Sequence, residues 1–493
     1  VAFAELSCCV VMLLSRPYVG FAVSLSLSSK VGSNHSSVGR RVLSLSFGRV
    51  CALGVFSLPF RAGSANNNQM ASSFHSSISP SPSDGSCRFL TGQERYADQL
   101  LTDFAERTGL TSAARPAKRY LWTDSFALCT YIGLYKRSGH QKYLDSARHL
   151  VDQVHSVLGR HRIDDDERTG WISGLSEEEG SLHPTIGGLR IGKEKNERKP
   201  HEPANERDEW HQDGQYFHYL TKWMRALQIL SRVTGDDKYL TWALELAKAA
   251  DEAFVYGYQG SWGPHQGKKR MYWKMSIDLT RPLVKSMGQH DPLDGYVTAK
   301  LLIDASTRGK SSKVPSTMEH VLKDYTDMVA PTQSFVTTDA LGIGGLLLDA
   351  YTLLQVMLEE DAQHSENWML KHVVKKILKS VHTSLGMYGS MGELSYDAES
   401  RLAFRELGLS IGVHALEGIE CLLKEKKWAD SDFHREVEQN TFNLSRYIPM
   451  ADHVESFWMI DEHQQCTTWK DHLDINSVML AATLVPDGCI DIS

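Results

Sequence analysis

From Thr91 onward, apolar residues recur at three- and four-residue spacings, the period of an amphipathic helix. The pattern predicts helices over 91–108, 122–137, 140–159, 215–234, 237–255, 291–307, 314–329, 338–358, 365–385, 405–425, 430–447 and 472–484, about twelve in all. Two junctions are near copies: Gly139-His140-Gln141-Lys142-Tyr143-Leu144 and Gly235-Asp236-Asp237-Lys238-Tyr239-Leu240. In each, a glycine suits the left-handed end of one helix, and the Tyr and Leu that follow begin the apolar face of the next. A repeated helical hairpin buries its face only against neighbouring hairpins, so an array is expected.

The helices alternate in character. Segment 215–234 is apolar on nearly all sides (Tyr216, Phe217, Leu220, Trp223, Met224, Leu227, Leu230), as is 338–358 (Leu341, Ile343, Leu346, Leu347, Leu348), which marks helices buried all round. Their successors are two-faced, with Lys238, Glu245, Lys248 and Asp251 in one and Lys371, Lys375, Lys376 and Lys379 in the other. Six inner and six outer helices in alternation make a closed ring. Connections from outer to inner helices are long (160–214, 256–290, 386–404, 448–471), whereas inner-to-outer turns at 138–140 and 235–236 are tight. On hairpin count and loop asymmetry, residues 91–493 resemble the six-hairpin glycosidase-like superfamily. That resemblance implies an all-α (α/α)6 toroid of six hairpins, residues 86–493, with its site in the funnel where long loops meet the inner-helix N-termini.

Composition is that of a globular protein, with 42% hydrophobic and 23% charged residues and a net charge of -7. The charge is unevenly spread. Residues 1–83 hold one acid (Glu5), six basic residues and 20 serines, leaving a body rich in acids that offers no field for nucleic acid. Residues 1–85 are expected to lie outside the fold. They read either as a targeting segment, plastid or mitochondrial, or as residues translated upstream of a start at Met70; scattered apolar runs without an ordered leader layout favour the second. No run approaches the ~20 apolar residues of a membrane span. Cys8, Cys9, Cys51, Cys87, Cys129, Cys421, Cys466 and Cys489 show no CxxC spacing and are expected to be reduced thiols in the cytoplasm. No motif calls for a metal or a cofactor, and the oligomeric state is not encoded legibly.

Acids and histidines gather at the inner-helix entrances: Trp122-Thr123-Asp124, Trp210-His211-Gln212-Asp213, His290-Asp291-Pro292-Leu293-Asp294, Thr337-Thr338-Asp339, Arg405-Glu406 and Trp469-Lys470-Asp471-His472. Helix capping explains many such acids, with Asp291 as a cap followed by Pro292. It does not explain the accompanying tryptophans, Trp122, Trp210, Trp262, Trp273, Trp458 and Trp469. Sugars present C–H faces to aromatic rings and hydroxyls to carboxylates, so this company suits carbohydrate. Glycoside hydrolysis needs two carboxyls ~5–9.5 Å apart, one kept protonated. Asp213 and Asp294 are the expected pair, each beside a histidine, with Glu209, Asp291 and Glu406 in reserve.

Trp122, Asp124, Trp210, His211, Trp273, His290, Asp291, Arg190, Arg281, Glu406 and His472 are the expected substrate contacts. Alternation of Met271, Trp273, Met275, Ile277 and Leu279 predicts a half-buried strand in a small hairpin. Arg190, Lys193, Arg270, Lys274 and Arg281 would suit an anionic sugar. The alternatives are a cofactor-free sugar epimerase or isomerase working through His218, His290, His414 and His472, since N-acylglucosamine 2-epimerase-like enzymes share the toroid and work with inner-helix histidines, although no epimerase motif surrounds His218-Tyr219-Leu220, and a toroid that only binds glycan or protein. Gly187 to Lys193 matches GxxxxGK, but Glu194 stands where Ser or Thr is needed, so nucleotide binding is not expected.

Overall fold

Thr91 accepts a hydrogen bond from the Glu94 amide, and the Glu94 carboxylate accepts one from the Thr91 amide at 2.7 Å. This reciprocal cap opens α1 (Gly92–Arg107) in the computed structural model of the chain, which describes residues 88–112, 114–257, 268–308, 315–360, 368–425, 428 and 430–492. The residues before 88, and Trp262, lie outside these. The further helices of the ring are α2 (Leu121–Ser138), α3 (Gln141–Leu158), α4 (Phe217–Thr234), α5 (Asp237–Phe254), α6 (Asp291–Thr307), α7 (Ser316–Val329), α8 (Ala340–Glu360), α9 (Trp368–Met391), α10 (Ala403–Glu425), α11 (Ser431–Leu444) and α12 (Leu473–Leu484).

The twin junctions behave as the sequence implies. Gly139 and Gly235 adopt φ of 73° and 67°, and each amide donates to the carbonyl four residues earlier, ending α2 and α4 and turning the chain directly into α3 and α5.

The even helices form a closed inner ring: α2 packs on α4, α4 on α6, α6 on α8, α8 on α10, α10 on α12, and α12 on α2. Outside them, α3, α5, α7, α9 and α11 each lie on the inner helix that precedes them in the chain, while α1 lies on α12. The sixth hairpin is thus made from the two ends of the helical series. The result is the all-α (α/α)6 toroid.

Inner helices are buried around most of their circumference. α8 is the extreme case: Ala340–Leu358 has a mean hydropathy of 1.6 and, among the described residues, is the one helix long and apolar enough to cross a bilayer. It exceeds the run length read from the sequence, yet 72% of that window is buried, between α6 and α10. A helix apolar on all sides is what the middle of a ring requires.

The expected strand at 271–279 is divided. Lys269–Met271 pairs with Val255–Gly257, whereas Lys274–Met275 is the centre of an antiparallel three-stranded sheet between Gln215–Tyr216 and Pro282–Val284. The polar side is buried as well, because the loop before α4 covers it; Lys274 is fully buried and its ammonium donates to the carbonyls of Glu209 and Gln212.

The ring is closed below by the chain's last residues. Buried Arg225 of α4 donates to the Cys489 carbonyl at 2.8 and 3.0 Å and to Thr352 Oγ1 of α8 at 2.7 Å. Gln355 of α8 brackets the same strap, donating to the Ile490 carbonyl and accepting from the Ile492 amide. Cys129, Cys421, Cys466 and Cys489 are free thiols.

Candidate functional site

Because the short turns all join inner to outer helices, the six inner helices run parallel, with their N-termini and the long loops on one face. The loop of 160–214 is ordered by internal ion pairs. Asp213, wholly buried, receives Arg190 Nη1 at 2.9 Å, Arg162 Nη1 at 3.2 Å, and the amides of Gly192 and Gly214 at 2.9 and 3.1 Å. A carboxylate holding four donors has no lone pair left for a sugar, which corrects the expectation that Asp213 is a catalytic carboxyl.

The same loop uses four of the five cations expected to bind an anion, Lys274 through the Glu209 and Gln212 carbonyls, while Arg270 is exposed on its strand. Arg190 also donates to the Arg160 and Val157 carbonyls, Lys193 to the Trp210 carbonyl, and Arg281 to the Arg198 carbonyl at 2.6 Å. The GxxxxGK glycines have a packing cause: a Cβ on Gly192, at φ +93°, would run into the Arg119 carbonyl oxygen.

Other expected residues are also committed to the scaffold. Asp124 accepts from Arg119 Nη1 and the Tyr120 amide at the start of α2, and burial lifts its carboxyl to about 6. Glu406 is gripped through both oxygens by Arg401 and accepts from Trp458 Nε1 at 2.8 Å. His472 takes the N-cap position of α12 against Phe404, and His211 is exposed on the loop. His414 bridges Glu417 and Glu455; their hydrogen bonds outweigh burial and raise it to about 9.

What converges at the mouth is contributed by α4, α6 and α8. His290 is the N-cap of α6, so Asp291 stands at N1 and Pro292 at N2, one position later than expected. The His290 side chain bonds the Phe335 carbonyl at 2.9 Å instead of capping. Asp291 is 5% exposed, and its Oδ2 has no hydrogen-bond partner. Burial first, and the Asp294 charge second, push its carboxyl up to about 8, so it is protonated at neutral pH.

One turn along, Asp294 Oδ1 is 3.3 Å from Lys222 Nζ of α4. Asp349 of α8 joins this pair, its carboxyl pushed well up by burial and by Asp294. Burial opposes the Lys222 ammonium, but the two acids outweigh it and raise its pKa.

His218 of α4 lies one turn before Lys222. Its Nδ1 accepts from Trp273 Nε1 at 3.2 Å, which assigns the ring proton to Nε2, and Asp291 Oδ1 is 3.8 Å from that Nδ1. Burial lowers His218 to about 4. At neutral pH this is therefore a neutral imidazole beside a neutral carboxylic acid rather than an ion pair.

Aromatic rings wall the cluster. Trp122 stands 6.0 Å from the His218 ring and 5.3 Å from Tyr219, with its buried Nε1 unpartnered. Tyr216 stacks on His218 at 5.3 Å, Tyr120 and Tyr219 share a 2.7 Å hydrogen bond, and Trp210 meets Trp273 edge-on at 4.6 Å. Of the expected residues, the mouth thus assembles Asp291, Asp294, His290, Trp122, Trp273 and, at its rim, Trp210.

The sequence reading missed Lys222 and Asp349. Both carried a signal, since His218, Lys222 and Arg225 fall at i, i+4 and i+7 on a buried helix and Asp349 interrupts a run of leucines.

No protein-family model matches the chain, and no curated protein matches it in sequence. A comparison with solved structures finds similar chains. An inactive double Asp-to-Asn variant of an alpha-1,6-mannanase from Salegentibacter sp., solved with alpha-1,6-mannotriose, is similar over 81% of this chain and all of that one, at 11% identity and a TM-score of 0.41. A cellobiose 2-epimerase from Spirochaeta thermophila covers 73% of this chain and 86% of its own, at 13% identity and TM-score 0.38. A sugar epimerase from a ruminal bacterium covers 72% and 87%, at 12% and 0.37.

Proposed function

We propose that the chain is a carbohydrate-active enzyme, a glycoside hydrolase that uses Asp291 as general acid and Asp294 as the ionised carboxylate. The observation that carries this reading is the opposite setting of two carboxyls one helical turn apart: Asp291 is buried and held protonated, while Asp294 is paired with Lys222. Residues at i and i+3 have Cβ atoms about 5–6 Å apart, compatible with the ~5–9.5 Å span of glycosidase carboxyl pairs. Divergent environments for neighbouring acids are how one carboxyl donates a proton while its partner stabilises positive charge on the sugar.

In this reading, the Asp291 acid protonates the departing glycosidic oxygen. Asp294, its rotamer fixed by Lys222 and Asp349, faces the anomeric carbon and stabilises its positive charge until a water adds there and gives its proton to the Asp291 carboxylate, which restores the acid. Trp122, Tyr219 and Trp273 supply the apolar walls against which a ring stacks. A neutral glycan suits the site, because the loop cations are bound to Asp213 and to carbonyl oxygens.

A second reading is favoured by one observation: His218 and His290, both held neutral by burial, interact with the same Asp294, as a proton-shuttling epimerase would need. Incubation with a panel of neutral oligosaccharides separates the two. A hydrolase releases new reducing ends, and Asp291→Asn and Asp294→Asn each lower the rate by about 10²–10⁴. An epimerase interconverts sugars without chain cleavage and loses activity in His218→Asn and His290→Asn. Full cleavage activity in both aspartate variants overturns the first reading.

A further inference from the structure

On the outer wall, behind Tyr325, α5 and α7 bring three ligating side chains together. One oxygen from Asp251, one ring nitrogen of His320 and one oxygen from Asp324 all lie within 4.8 Å of one another. Two of these groups are deeply buried, Asp251 at 4% and Asp324 at 3% exposure, and Asp251 Oδ1 has no hydrogen-bond partner. His320 and Asp324 are four residues apart on α7 and share a face, with His320 Nε2 3.8 Å from Asp324 Oδ2. Lys269, from the strand Lys269–Met271, donates to Asp324 Oδ2 at 2.8 Å and is the cation now nearest the pair.

Two acids facing each other in a buried seam are unfavourable unless a positive charge balances both. Lys269 reaches Asp324, while the second acid keeps an orphan oxygen. Burial and the neighbouring Asp324 charge accordingly raise the Asp251 carboxyl to about 6. A dication would satisfy both carboxylates at once and would also take the imidazole nitrogen as a ligand.

We propose that Asp251, His320 and Asp324 form a binding site for a divalent transition-metal ion that clasps α5 to α7. One imidazole with two carboxylates is a borderline donor set, suited to Zn2+ or Mn2+ and poor for Ca2+, which takes six to eight oxygens. His320 is exposed, so the ion has a path in from solvent, and water completes its coordination. On binding, the Lys269 ammonium moves off Asp324 into solvent, where its side chain is already one-third exposed.

The test is equilibrium dialysis and calorimetry of the untagged full chain with Zn2+ and with Mn2+, together with the absorption spectrum of the Co2+ form. One equivalent bound, a rise in melting temperature, and a visible Co2+ band are expected. His320→Ala, a change at an exposed position that the fold tolerates, should weaken binding by about tenfold or more. Asp251→Asn should weaken it further, and Lys269→Met should tighten it by removing the competing cation. Absence of stoichiometric binding, or an affinity unchanged in both His320→Ala and Asp251→Asn, overturns the proposal and leaves an ion-paired seam.

Discussion

Lys222 Nζ lies 3.3 Å from Asp294 Oδ1, and the Asp349 carboxyl draws on the same ammonium. One cation therefore serves two acids in a buried setting. Lys222→Met should cost about 3–5 kcal/mol, the range for breaking a buried pair by removing one partner. Adding Asp294→Asn to that variant should recover part of the loss, because it removes one uncompensated charge. Denaturant melts of the two variants check this; equal stability of Lys222→Met and the parent would refute it.

The protonated state of Asp291 sets a pH limit. An acid catalyst that ionises near pH 8 gives a rate that falls on the alkaline side around that value, and Asp291→Asn should abolish this limb along with the activity. The same group contributes to stability with a defined sign. Its folded pKa is raised from 3.8, so its contribution is fully present below about 3.8 and is lost as pH rises through about 8. A pH–rate profile and melting curves from pH 6 to 9 report the two effects separately.

His155 works in the opposite direction. It accepts from Trp223 Nε1 at 3.0 Å in a buried site, and burial lowers it from 6.5 to about 3. A depressed folded pKa contributes stability above 6.5 that is lost as pH falls toward 3. His155→Gln keeps an acceptor for the indole N–H without the titration. Its melting temperature should depend less steeply on pH between 6.5 and 3 than that of the parent.

Asp213 offers a separation of structure from chemistry. Asp213→Asn deprives Arg162 and Arg190 of their shared carboxylate, so the 160–214 loop should become more sensitive to limited proteolysis. Product formation per folded molecule should change far less than in Asp294→Asn. A loss of turnover in Asp213→Asn equal to that in Asp294→Asn, without loosening of the loop, would return Asp213 to the chemistry.

Gly488 is the tightest point of the strap beneath the ring. A Cβ there would overlap the Cys129 carbonyl oxygen and crowd the Gly133 amide. Gly488→Ala should destabilise the protein by at least about 1–3 kcal/mol, the usual cost of overpacking. Thermal melts of this single variant are sufficient to check it.

The helices were legible because their cause is local. The period of apolar positions and the glycine turns at Gly139 and Gly235 placed α2, α5 and α6 to within a residue or two. The loops were not legible, and with them the roles of the acids. Nothing near Asp213 in the chain announces Arg162, 51 residues away, or Arg190, 23 away, and only these partners decide that it is a scaffold residue. Asp291 and Asp294 fall on one helical turn, yet their different environments come from Lys222 and His218 on α4 and Asp349 on α8. The alternation at 271–279 was real on its apolar side, but the covering loop buried Lys274 and Ser276 too, which a period-two pattern cannot foretell.

Arg107 Nε lies 3.0 Å from Asp474 Oδ1 across 367 residues of chain, where α1 meets α12. During synthesis α1 therefore emerges first and its own partner last, so its apolar face stays uncovered while five hairpins form behind it. Contacts of such long sequence separation form slowly, and incomplete rings expose apolar edges. A ribosome-stalled chain lacking α12 should behave as an open, chaperone-dependent arc rather than as a smaller version of the same protein.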